Sequence, residues 1–94
     1  MNKRQLIAAA SRRSSLTQRQ TREVLEAILE VIAGTLADGD HVTISGFGRF
    51  DAQHYAGRKL RRFDGPGHYI VGDRHVPVFR SSELLRQRLR RRES

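Results

Sequence analysis

Four cations crowd one short stretch of this 94-residue chain: Arg58, Lys59, Arg61 and Arg62, followed at once by Phe63. Asp64-Gly65-Pro66-Gly67 comes next and has the composition of a turn, and Arg74 stands on its far side. A guanidinium presents a planar fork of N–H donors that suits phosphate, and arginine outnumbers lysine sixteen to two here. The chemistry open to such a cluster is anion binding. Phe63 does not belong to a core, because burying its ring would bury the charges beside it.

Covalent and metal chemistry find little to work with. His41, His54, His68 and His75 show no metal-ligand spacing. His54 and His75 can face each other across a hairpin, but the sequence gives them no carboxylate or thiolate neighbour, so they read as surface histidines. Gly46-Phe47-Gly48 is neither a phosphate-binding loop nor a dinucleotide fingerprint, since the spacing and the helix that should follow are missing. The serine pairs Ser14-Ser15 and Ser81-Ser82 sit in turn or capping contexts. No catalytic residue, metal site, cofactor or small-molecule substrate is expected.

The totals narrow the choice further. Eighteen Lys+Arg against ten Asp+Glu give a net charge of +8. Residues 1–40 hold six basic and five acidic groups, whereas residues 41–94 hold twelve and five. A polarised basic half points to nucleic acid ahead of an anionic membrane surface or an acidic protein. With the basic hairpin set aside, roughly 70 residues remain for a core, a size at which one core is marginal. The chain has no cysteine, so disulfides cannot stabilise it, and an obligate dimer is the expected solution. No apolar run reaches transmembrane length and no signal-peptide core precedes the domain, so a cytoplasmic protein is expected.

The elements that must position the cations follow from the spacing. Asn2 with Gln5 forms a capping-box pattern ahead of Leu6, Ile7 and Ala10, and Thr17 with Gln20 repeats it. The second helix carries Val24, Leu25, Ile28, Leu29, Ile32, Ala33 and Leu36 as a broad apolar stripe, and Gly39 ends it. Glu23, Glu26 and Glu30 on its other face would repel phosphate, so the helix is read as packing in a dimer. Val42 and Ile44 alternate inward on a strand, Gly46-Phe47-Gly48 turns it, and Arg49–Tyr55 returns with Phe50 inward. Val76, Val78 and Phe79 bring the chain back to the core, with Pro77 at an edge or a bulge. Ser81 or Ser82 caps a last helix bearing Leu84, Leu85 and Leu89, and Arg90–Ser94 is a frayed basic end. One domain over 1–94 is expected: a helical hairpin at 1–38, a sheet at 40–79 with an arm at about 56–75, and a helix with its basic end at 81–92.

These residues together resemble the bacterial histone-like HU / integration host factor family of DNA-bending proteins, and its HU branch most closely. The resemblance rests on Met1-Asn2-Lys3 with Leu6-Ile7, Gly39-Asp40, Gly46-Phe47-Gly48 with Phe50, and Val76-Pro77 with Phe79. It covers residues 1–90 without insertion between the two anchors. It implies an α+β fold: an intertwined dimer with a helical base, an antiparallel β-sheet saddle and two projecting β-ribbon arms that clasp DNA in the minor groove. The partner copy is an identical chain or a paralogue. Leu25, Ile28, Leu29, Ile32, Leu36, Phe47, Phe50 and Phe79 form the expected dimer core. Lys3, Arg80 and Arg86 match saddle and flank positions, and Arg88, Arg90, Arg91 and Arg92 either extend that track or solvate the last helix.

The arm tip departs from the family pattern. Arg61-Arg62-Phe63 stands where Arg-Asn-Pro is usual, and Asp64-Gly65-Pro66-Gly67 replaces Gln-Thr-Gly-Lys. Arg58 and Arg61 keep the family's arm arginines, and Tyr55 replaces a common arginine. Phe63 is the first candidate for the wedge between base pairs, Pro66 is a second, and packing of Phe63 on Tyr69 or Ile70 is a third reading. Eight residues from Ala56 to Phe63 at 3.3 Å each give an arm of about 26 Å. The expected activity is architectural: binding bent, nicked or distorted duplex with little sequence preference, and compacting it on the nucleoid. A sequence-preferring bender like integration host factor, an RNA or single-strand chaperone, and a scaffold for acidic proteins are the alternatives.

Overall fold

The computed structural model describes residues 1–93 and has three helices and five strands: α1 (Lys3–Arg12), α2 (Gln18–Ala37), β1 (Val42–Ile44), β2 (Gly48–Tyr55), β3 (Arg58–Arg61), β4 (His68–Val71), β5 (Arg74–Ser81) and α3 (Glu83–Glu93). This is an α+β chain with antiparallel sheets. It divides into two compact units, Met1–Gly34 and Thr35–Ser94.

In the first unit both helix starts are capping boxes. The Asn2 side chain accepts from the Gln5 amide at 2.9 Å while the Asn2 amide donates to Gln5 Oε1 at 2.9 Å. Thr17 and Gln20 repeat the exchange at 3.1 and 3.0 Å. Each box satisfies two amides that the first turn would leave unpaired. Ile7 is buried to 2 % exposure, the one large apolar side chain of the described residues that is fully enclosed. On α2, Val24, Ile28 and Leu29 remain about half exposed, and Leu25 and Ile32 are only partly covered.

The second unit begins with the last turn of α2. Gly39, at φ 82°, donates to the Leu36 carbonyl and Asp40 donates to that of Thr35, the paired bonds of a Schellman stop. Strands β1, β2 and β5 form one sheet in that order, and β3 with β4 form a second. In the larger sheet Phe50 lies opposite Phe79 and Val42 opposite Phe50, so these three share a face with Ala52 and Pro77. Pro77 sits on β5, an edge strand of the chain's own sheet, the setting in which a residue without an N–H is tolerated. Val76 and Val78 correct the expectation that they point inward. They pair with Gln53 and Asp51 and so share the other face with Arg49 and Arg80. Two consecutive strand residues cannot both face the core, and Phe79 takes that side.

The phenyl rings form a short file. Phe79 lies 5.5 Å from Phe47 and 5.0 Å from Phe50, both tilted. Gly46, at φ 79°, makes the turn that brings Phe47 there, and the Phe47 carbonyl accepts the Ser82 amide at 2.9 Å. Ser82, of the two candidates, caps α3 by accepting the Leu85 amide at 3.1 Å. The helix then continues to Glu93, so Arg90, Arg91 and Arg92 are helical and not frayed. Ser94 lies outside the described residues. Gly48 is buried, and a methyl group there would meet the Phe79 ring at 2.5 Å and the Arg80 carbonyl at 2.7 Å. Since a backbone atom must move to make room, Gly48→Ala is expected to cost about 1–3 kcal/mol, seen as a melting temperature lowered by several degrees.

Candidate nucleic-acid interface

The two-stranded sheet is the arm. Arg58 pairs with Val71, Lys59 with Ile70, Leu60 with Tyr69 and Arg61 with His68. Residues directly opposite share a face, so Lys59, Arg61, Ile70 and His68 lie on one side and Arg58, Leu60, Val71 and Tyr69 on the other. Both sides therefore carry cations beside apolar groups. The Arg62 amide donates to the Gly67 carbonyl at 3.0 Å and closes the tip, with Gly67 at φ 103°. Phe63 sits in that tip at 105 % exposure, more open than in an extended reference peptide. That overturns the reading in which it packs on Tyr69 or Ile70. Pro66 is exposed in the same tip.

Cations differ in what already holds them. Among the described residues Arg58, Lys59, Arg61 and Arg62 form no ion pair. Arg74 lies over the Tyr55 ring at 5.2 Å, a cation–π contact at the start of the arm. Arg80 faces Asp51 at 3.6 Å and Gln53 Oε1 at 3.4 Å, and Arg49 reaches the same Asp51 carboxylate at 3.0 Å. Lys3 pairs with Glu26 at 3.3 Å. Arg86 pairs with Glu83 at 2.9 Å and donates to the Ser81 carbonyl, and Arg90 meets the other Glu83 oxygen. These two guanidinium groups, Arg90 first, hold the Glu83 carboxyl below the usual carboxylate range. Exposed pairs of this kind add little to stability, so exchanging their carboxylates for another anion costs little.

Between the two sheets the ladder breaks at Ala56-Gly57 and Gly72-Asp73. The break is latched. The Gly57 amide donates to Asp73 Oδ1, and His54 Nε2 lies 3.5 Å from Asp73 Oδ2. The bond to Gly57, then that to His54, pulls the Asp73 carboxyl below its ordinary range. His54 and His75 are opposite each other with ring centroids 4.8 Å apart, as their spacing allowed, but the carboxylate beside them is one the sequence reading missed. Among the described residues no group of three His, Cys, Asp or Glu is placed to hold a metal ion. Gly57 cannot be larger, since a Cβ would lie 2.5 Å from the Val71 carbonyl. A cleft of about 380 Å³ opens at this break, lined by Tyr55, Arg58, Leu60, Val71 and Arg74.

The expected dimer-core residues are similarly half-covered within each unit. In the second, Phe79 is 43 % exposed and Phe47 46 %, while Phe50 and Leu36 are partly covered. Among the described residues no helix is long and apolar enough to cross a membrane.

Comparison with known proteins agrees with this geometry. A family model described as bacterial DNA-binding protein matches residues 1–90. The chain is 33 % identical to the DNA-binding protein HU of Nostoc sp. over 89 residues, covering 95 % of each. It is 33 % identical to HU-alpha of Vibrio cholerae over 90 residues, 96 % of this chain and all of that one. Among solved structures, an Anabaena HU–DNA cocrystal structure matches with a TM-score of 0.81 at 32 % identity, over 95 % of this chain and 97 % of that one. HU from Thermotoga maritima matches with a TM-score of 0.69 at 26 % identity, over 95 % and 98 %.

The Asp73 latch has a testable pH signature. A carboxyl whose folded pKa is depressed contributes its contact above the unfolded value of about 3.9 and loses it as pH falls through the lower folded value. Asp73→Ala is therefore expected to speed hydrogen exchange at the Gly57 amide several-fold at neutral pH. In the unsubstituted protein the step in the Gly57 amide resonance that reports the Asp73 carboxyl should have its midpoint below about pH 3.9.

Proposed function

The chain belongs to the bacterial DNA-binding protein family that includes the HU proteins, and from that membership we propose that it acts as a dimeric architectural protein that bends duplex DNA from the minor groove. Members of this family are architectural and not enzymes. The observation that carries the proposal is the arm: four unpaired cations lead to a fully exposed phenyl ring at a closed tip. Among the described residues no core claims that ring and no carboxylate claims those cations.

Arg58, Lys59, Arg61, Arg62 and Arg74 neutralise phosphates along the groove, and such contacts position the duplex while carrying little sequence information. Lys3, Arg80 and Arg86 trade their surface carboxylates for phosphates where the bent duplex continues. Phe63 enters a base step. For minor-groove benders as a class, HU among them, an inserted apolar group costs a few kcal/mol of unstacking per step, a figure for the class and not for this chain. Wrapping more cationic surface offsets that cost. A nicked or already distorted duplex has less stacking to lose, so it is the favoured substrate. The half-exposed stripe on α2 and the half-exposed phenyl rings are covered by a second copy of this chain or by a paralogue, which supplies the second arm. Such a protein belongs in the cytoplasm, on the nucleoid.

Energy transfer across a nicked duplex labelled at both ends tests the wedge. Phe63→Ala is expected to lower the bend while the protein still binds, and Pro66→Ala is expected to leave the bend in place. A bend kept by Phe63→Ala and lost by Pro66→Ala would assign the wedge to Pro66 instead.

A further inference from the structure

Asp64 is the one acidic residue between Arg58 and Gly72, and it directly follows Phe63. Local structure does not explain it. Among the described residues its carboxylate accepts no hydrogen bond and forms no ion pair, although Arg62 and Arg61 are two and three residues away. It is exposed in the tip, which is closed by the Arg62–Gly67 backbone bond and not by a side chain. A negative charge at the leading end of an arm for a polyanion opposes binding, so its presence calls for a contact that rewards it.

From this we infer that Asp64 sets a base preference at the kink, favouring steps flanked by G·C over those flanked by A·T. The inference rests on the reading of Phe63 as the wedge. Consecutive Cα atoms lie about 3.8 Å apart, close to the 3.4 Å rise of one base pair, so a ring inside a step places Asp64 at the neighbouring pair. An ionised carboxylate only accepts hydrogen bonds. In the minor groove A·T and T·A pairs offer only acceptors, the adenine N3 and thymine O2, whereas G·C adds the guanine N2 amino donor. A·T tracts also narrow the groove and deepen its negative potential, which repels a carboxylate again. Both effects act in the same direction. Arg61 and Arg62 hold the tip against the phosphates while Asp64 meets the floor.

Inosine isolates the claim, because it lacks the N2 amino group of guanine. Two nicked duplexes differing only in inosine for every guanine are titrated with the full-length protein at one fixed salt concentration. The protein is expected to bind the guanine duplex about three- to tenfold more tightly, around the lower end of the range of a full two-bond base contact. Asp64→Asn, which keeps the shape and gains a donor, is expected to shrink that ratio to within about twofold, mainly by tightening on the inosine duplex. Asp64→Ala should shrink it likewise. A ratio near one for the unsubstituted protein, or the same ratio in both variants, overturns the inference. Failure of the wedge reading shows separately, as an unchanged bend in Phe63→Ala whatever the guanine-to-inosine ratio.

Discussion

Among the described residues Ile7 is the one large apolar side chain fully enclosed, and that is not enough apolar burial to hold a unique fold. Ordering each residue costs about 1–2 kcal/mol of backbone entropy, and only buried apolar surface can offset a sum of that size. The surface exists, but it is half open: Val24, Ile28 and Leu29 on α2, and the Phe47–Phe79–Phe50 file on the sheet. The chain has no cysteine to cross-link it, and on the proposed reading a second copy supplies the cover. On the proposed reading, the same contact that completes the core also brings the second arm. Folding and the capacity to clasp a duplex from two sides then have one cause.

The charges are arranged to fit that division of labour. Where the chain needs order, cations are matched by carboxylates: Arg49 and Arg80 on Asp51, and Arg86 and Arg90 on Glu83. On the arm, among the described residues, they are not. On the proposed reading, nothing must then be broken before the arm's four cations bind phosphate. Between these regions the Asp73 latch holds the break in the ladder at Gly57, which allows the arm a change of direction without loss of pairing on either side.

Much of this was legible in the sequence where the signal is local. Asn2 with Gln5, Thr17 with Gln20, the Gly39 stop and the turn at Gly46 each depend on residues a few positions apart, and each forms as the spacing required. The family resemblance extended that to the sheet and the arm. What stayed hidden depends on cross-strand register. Asp73 reaches Gly57 across sixteen positions, and Val76 and Val78 could be placed on the polar face only once Phe79 was paired with Phe50. The helical state of Arg90–Arg92 was missed because Glu83, at the start of α3, anchors Arg86 and Arg90 a turn and two turns later. Phe63 stands out in the sequence by its arginine neighbours and by its place at the family's arm tip, and its exposure removes the packing alternative.

The claim on which all else rests is that the fold is completed by a second chain. Thermal melting followed across a hundredfold dilution, with sedimentation at the two extremes, tests it most directly. The account predicts a species of twice the chain mass and a midpoint that falls steadily on dilution, since dissociation and unfolding are coupled. A single-chain species that melts cooperatively at a midpoint independent of concentration would contradict it.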